Sequence, residues 1–135
     1  MTVNTKNLFI SHSWTYGSHY DNLVSMLDNA LYFEYKNYSV PKDDPIHNAP
    51  NAAALEAAIE AQIKPVSAVL VVAGVYSSYS KWIDKEISIA QKLQKPIIAI
   101  RPRGNEYVSD VATSNANMVV SWNTNSIVGA IRDLT

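Results

Sequence analysis

Apolar positions along the 135-residue chain fall into two alternating patterns. Short unbroken apolar runs rich in strand formers mark buried β-strands, and apolar residues spaced by three or four mark amphipathic helices. Leu8-Phe9-Ile10 is the first run, ended by Ser11-His12-Ser13. Over 20–31 a helix is predicted, with Leu23, Met26, Leu27, Ala30 and Leu31 at helical spacing. Tyr38-Ser39-Val40 reads as a second short strand, stopped by Pro41. Residues 41–50 hold three prolines and two adjacent aspartates and read as an irregular loop.

Asn51 is a fitting N-cap for an alanine-rich helix that runs to Ile63 and stops at Pro65. Ala68-Val69-Leu70-Val71-Val72-Ala73 carries the clearest strand signal, that of a central parallel strand covered on both faces. A loop over 74–80, a helix over 81–94 and a fourth strand over 96–100 follow. A polar loop over 101–117, a fifth strand over 118–121 and a closing helix over 125–134 complete the chain. Strands alternating with helices imply a parallel sheet with right-handed crossovers. Five strands in this rhythm predict an α/β, flavodoxin-like three-layer sandwich with strand order 2-1-3-4-5. Neither a repeat nor a linker interrupts it, so 1–135 reads as a single domain.

In such a sheet, ligands bind beyond the carboxyl ends of the strands where the order reverses, here between strands one and three. The loops expected there are rich in hydroxyl and aromatic groups. One holds Ser11, His12, Ser13, Trp14, Thr15 and Tyr16, and the other Tyr76, Ser77, Ser78, Tyr79 and Ser80. The helix after strand three adds a sharper signal. At ~100° per residue, Trp82, Ile83, Ile87, Ile89, Ala90 and Leu93 form one apolar arc. Glu86 falls inside that arc, away from Asp84, Lys85, Ser88 and Lys92. A carboxylate facing apolar neighbours is costly unless compensated, and partial desolvation there would raise its pKa. Glu86 is therefore the candidate catalytic residue, the alternative being a carboxylate that accepts backbone hydrogen bonds from a neighbouring loop.

Weaker signals are Arg101 and Arg103 after strand four, placed to meet a phosphate or simply solvated. Asp43, Asp44 and His47 have a slight claim to a metal. No metal site or cofactor is expected. A phospho-acceptor receiver domain of the same architecture needs acidic residues just after strand one, and Ser11-His12-Ser13 supplies none.

Composition narrows the classes further. Apolar residues make up 47% of the chain, the net charge is −1, and cysteine is absent. Absence of cysteine removes disulfides, thiolate nucleophiles and cysteine-ligated zinc. A near-neutral chain lacks the basic surface that supplies most nucleic-acid affinity. Its longest apolar run is far below the ~20 residues of a membrane helix, and no signal peptide is evident, so a cytoplasmic protein is expected.

Taken in order, several segments resemble the bacterial TIR-like (Toll/interleukin-1-receptor-like) domains of Thoeris antiphage defence. They are Phe9-Ile10-Ser11-His12-Ser13-Trp14, Ser80-Lys81-Trp82-Ile83-Asp84-Lys85-Glu86, Lys95-Pro96-Ile97-Ile98 and Ser121-Trp122-Asn123. The resemblance implies an enzyme that cleaves the nicotinamide–ribose bond of NAD, with NAD as substrate and not cofactor. It makes Glu86 catalytic and Trp82 the aromatic residue four positions earlier. Ser11, His12, Ser13 and Trp14 would shape the pocket, and Tyr76, Ser77 and Arg101 are further candidate substrate contacts. Residues 41–50 take the place of a loop that rearranges on assembly. Ser-His-Ser-Trp departs from the more usual Ser-Tyr pattern, so contacts there do not transfer directly. Other implied features are a homo-oligomer when active and a cyclic ADP-ribose-type signal to a separate effector. Two other readings stay open: a noncatalytic TIR-like adaptor acting by self-association, and a nucleoside deoxyribosyltransferase-like enzyme.

Overall fold

The computed structural model describes residues 5–11, 18–31, 33–38, 52–72, 81–101 and 115–135. Among them run β1 (Thr5–Ser11), α1 (Ser18–Asp28), β2 (Glu34–Asn37), α2 (Ala52–Ile63), β3 (Ala68–Val72) and α3 (Lys81–Lys92). Then come β4 (Ile97–Ile100), β5 (Met118–Val120) and α4 (Thr124–Leu134). The strands form one parallel sheet in the order β2-β1-β3-β4-β5, as the alternation of elements predicts.

Register explains how short apolar runs build two cores at once. Successive side chains of a strand point to opposite faces. Phe9, Val69, Val71, Ile97 and Ala99 therefore share one face, where Ile59 and Ile63 of α2 and Ile87, Ile89 and Ala90 of α3 cover them. Leu8, Ile10, Leu70, Val72, Ile98 and Ile100 share the other, beneath Leu23 and Leu27 of α1 and Ile127, Val128 and Ile131 of α4. Every residue of β3 and β4 is buried, which is why both read as continuous apolar runs. At about 1.5–3 kcal/mol for each fully buried large aliphatic side chain, these two layers dominate the favourable side of folding.

Several boundaries differ from the sequence reading, each for a local reason. The second strand is Glu34–Asn37, not 38–40, and it is almost wholly polar and exposed. As an edge strand it is held by backbone pairing, Thr5↔Glu34 through Leu8↔Asn37, and hydrophobic patterning has no grip on it. Tyr38 lies one residue past it and donates its N–H to Leu8 O at 2.8 Å, while Ser39 and Val40 lie outside the described residues. The same pairing extends β1 back to polar Thr5. Helix α1 starts at Ser18 and stops at Asp28 instead of spanning 20–31. Its end tightens through Ala30 N–H to Leu27 O, and the Asn29 side-chain amide donates to Ser25 O at 2.8 Å. Leu31 is consequently 81% exposed and belongs to no apolar face.

Helix α3 ends at Lys92 in a Schellman turn: Gln94 N–H donates to Gln91 O and Lys95 N–H to Ala90 O. Gln94 has φ 58°, the left-handed conformation this turn requires. Helix α4 begins at Thr124, one residue before the expected start, because Asn123 caps it by accepting from Ser126 N at 3.1 Å.

Candidate functional site

Strand order reverses between β1 and β3, which lie side by side with Ser11 paired to Val71. In this architecture ligands bind beyond the carboxyl ends of such a strand pair. The loops leaving them, 12–17 and 73–80, lie outside the described residues, so His12, Ser13, Trp14, Tyr76 and Ser77 have no described position. Ser11 is placed by its backbone as the last residue of β1. Trp82 is placed by its backbone in the first turn of α3. Arg103, Asp43, Asp44 and His47 also lie outside the described residues.

Helix α3 descends from the carboxyl edge of the sheet. Glu86 sits in its second turn, roughly 7–8 Å along the axis from Lys81 at 1.5 Å per residue. Helical phase puts Glu86 beside Ile87, Ile89 and Ala90, all buried, while Asp84, Ser88 and Lys92 face solvent and Lys85 is half-buried. Glu86 is 2% exposed and is the sole buried charged or polar residue among those described. Its Oε2 is fully shielded from solvent. A carboxylate withdrawn from water and held on a helix packed against the sheet keeps one orientation. Its field is screened far less there than at the surface.

Arg101 directly follows β4, one strand farther from the reversal point, and its side chain is exposed. Its backbone N–H donates to Val120 O at 2.9 Å, so its described contact is structural. No group of three potential metal ligands occurs among the described residues, nor is any of their helices long and apolar enough to cross a membrane.

Glu86 is not among the lining residues of two surface depressions. One of about 380 Å³ runs between α2 and α3, lined by Glu56, Asp84, Lys85, Ser88 and Ile89. The other, about 400 Å³, lies at the amino-terminal edge of β4 and is rich in side-chain amides. Sequence reading misses the second altogether. Its residues come from three separate segments, and no spacing connects them.

Residues 9–107 match the family described as Thoeris protein ThsB, TIR-like domain. A conserved protein from Enterococcus faecalis V583 superposes with TM-score 0.66 at 9% identity, over 98% of this chain and 100% of that one. The Clostridium botulinum CMP N-glycosidase BcmB superposes with TM-score 0.54 at 14% identity, over 94% of this chain and 99% of that one. At such identities the likeness is one of fold. No curated protein matches the chain in sequence.

Proposed function

The chain belongs to the family of Thoeris ThsB TIR-like domains, and on that premise we propose that it cleaves the nicotinamide–ribose bond of NAD. In this proposal the product is a cyclic ADP-ribose-type signal in antiphage defence. The observation that carries the reading is Glu86, a carboxylate buried on the apolar face of the helix that follows the central strand. Family membership supports the setting, and the residue supports the chemistry.

Rupture of the bond builds positive charge on the ribose as an oxocarbenium-like centre, while nicotinamide departs as a neutral molecule and needs no general acid. A fixed, poorly screened negative group is what such a transition state rewards. Glu86 stabilises the developing charge or orients a ribose hydroxyl, with Trp82 or Trp14 as an aromatic wall for a ring. Attack by water gives ADP-ribose, nicotinamide and a proton. Attack by a nucleophilic atom of the same molecule gives a cyclic isomer, nicotinamide and a proton. The first-loop residues Ser11, His12 and Ser13, with Tyr76, Ser77 and Arg101, are the proposed substrate contacts, and activity is proposed to need self-association. BcmB is named for action on an N-glycosidic bond of CMP. NAD carries a bond of the same class, although a shared fold does not by itself transfer activity.

The test is nicotinamide release from NAD by the concentrated protein, with Glu86→Gln beside it, followed by chromatography. The expected result is release that falls by roughly 100-fold or more in the variant, as for loss of a principal electrostatic group. The second product peak distinguishes hydrolysis from cyclisation. No release, even under crowding that forces assembly, overturns the reading in favour of a noncatalytic adaptor. Base exchange on nucleosides without action on NAD overturns it in favour of deoxyribosyl transfer.

A further inference from the structure

The amide-rich depression lies at the end of the sheet opposite the expected crevice. Helix α3 joins the two ends, its last residue Lys92 about 9 Å along the axis from Glu86 and Gln94 in the turn beyond it. Four carboxamide residues line it, Gln91, Gln94, Asn115 and Asn117, together with Lys95. Pro96 and Leu134 supply its apolar part, beside the backbone of Ile97, whose side chain is buried in the core.

Two of the amides are oriented by the protein itself. Asn117 Oδ1 accepts from Ile97 N at 2.9 Å, while its own N–H donates to Ile97 O at 2.7 Å. With its oxygen turned to the strand, Asn117 presents its NH₂ on the other side. Asn115 Oδ1 accepts from Gln91 Nε2 at 3.0 Å, a bond that ties these two amides together and engages one donor and one acceptor. Among the described residues that line the groove, none carries a carboxylate side chain. The balance is thus toward donors and positive charge.

Gln94 adds an independent observation. It holds φ 58° at the position of a Schellman turn where glycine is free of steric penalty. A glutamine there gives up stability, and its side chain lines the groove. Sacrificed local stability at a cavity wall is the pattern expected of a residue kept for contact with a ligand.

We infer that this groove binds a small organic anion, an oxygen-rich carboxylate or phosphate head on a flat apolar body. The head takes hydrogen bonds from Asn117 and Gln94 and the charge of Lys95, and the body rests on Pro96 and Leu134. The site is separate from Glu86 and does not depend on the NAD reading.

The experiment titrates the protein with phenyl phosphate, benzoate and inorganic phosphate while following Asn and Gln side-chain NH₂ resonances by NMR. Saturable shifts at Gln94 and Asn117 with phenyl phosphate or benzoate are expected. Which of the two binds more tightly assigns the head group. Lys95→Met should weaken binding roughly tenfold, as expected for a lost charge-assisted bond. Gln94→Gly should weaken binding while raising Tm by about 4 °C, a combination that a purely structural role cannot produce. The inference is overturned by the absence of saturable shifts up to about 10 mM. Equal binding of inorganic phosphate, or unchanged affinity in both variants, overturns it as well.

Discussion

A carboxylate at 2% exposure carries a desolvation penalty of several kcal/mol when charged, unless its surroundings offset it. Glu86 is held in that state at the second turn of α3, flanked by buried Ile87, Ile89 and Ala90. Glu86→Gln keeps the shape and removes the charge. It should leave Tm within a few degrees of the wild type in a thermal melt while nicotinamide release disappears. A large fall in Tm would instead mark a mainly structural carboxylate. Leu70, fully buried at the centre of β3, has no such ambiguity. Leu70→Ala should cost about 3–5 kcal/mol in urea unfolding, from lost transfer energy and the cavity left behind.

Elements here are set by caps and pairings as much as by apolar pattern. Asn123 satisfies an otherwise orphan N–H at the start of α4, so Asn123→Ala should lower unfolding free energy by about 1 kcal/mol. At the other kind of terminus, Gln94→Gly removes the left-handed penalty after α3 and should add about 1 kcal/mol. Chemical denaturation of the two variants checks both signs. The Lys92–Glu60 contact between α3 and α2, at 3.5 Å with an exposed lysine and a half-buried glutamate, contributes little beside these. The second strand teaches the same lesson. Glu34-Tyr35-Lys36-Asn37 has neither an apolar run nor a clean alternation, and it is a strand because β1 offers it an edge. Its charged side chains also discourage further pairing on its outer edge.

At the scale of the whole molecule, one sheet separates two apolar layers, α2 and α3 on one side and α1 and α4 on the other. Layers on opposite faces of a sheet lie about 20 Å apart, which places their helices beyond direct contact. Ile63→Ala and Ile127→Ala should therefore destabilise additively within about 0.5 kcal/mol. Because both layers share β1, β3 and β4, unfolding should stay a single transition. Tryptophan fluorescence and far-ultraviolet circular dichroism should then report the same midpoint. Two separated midpoints would show that the layers melt independently.

The sequence alone determined the α/β class, the strand order and the apolar arc that contains Glu86. Each rests on residues close in the chain, whose periodicity reports directly on burial. Burial of Ala68-Val69-Leu70-Val71-Val72 and of Glu86 follows the expected pattern closely. Tertiary structure alone decided the register of β2, the turn that holds Gln94 at φ 58° and the meeting of Gln91, Asn115 and Asn117 in one groove. Those features depend on backbone hydrogen bonds and on residues distant in sequence. Hydrogen-bond pairing is nearly blind to side-chain type, and proximity across the fold leaves no period in the chain.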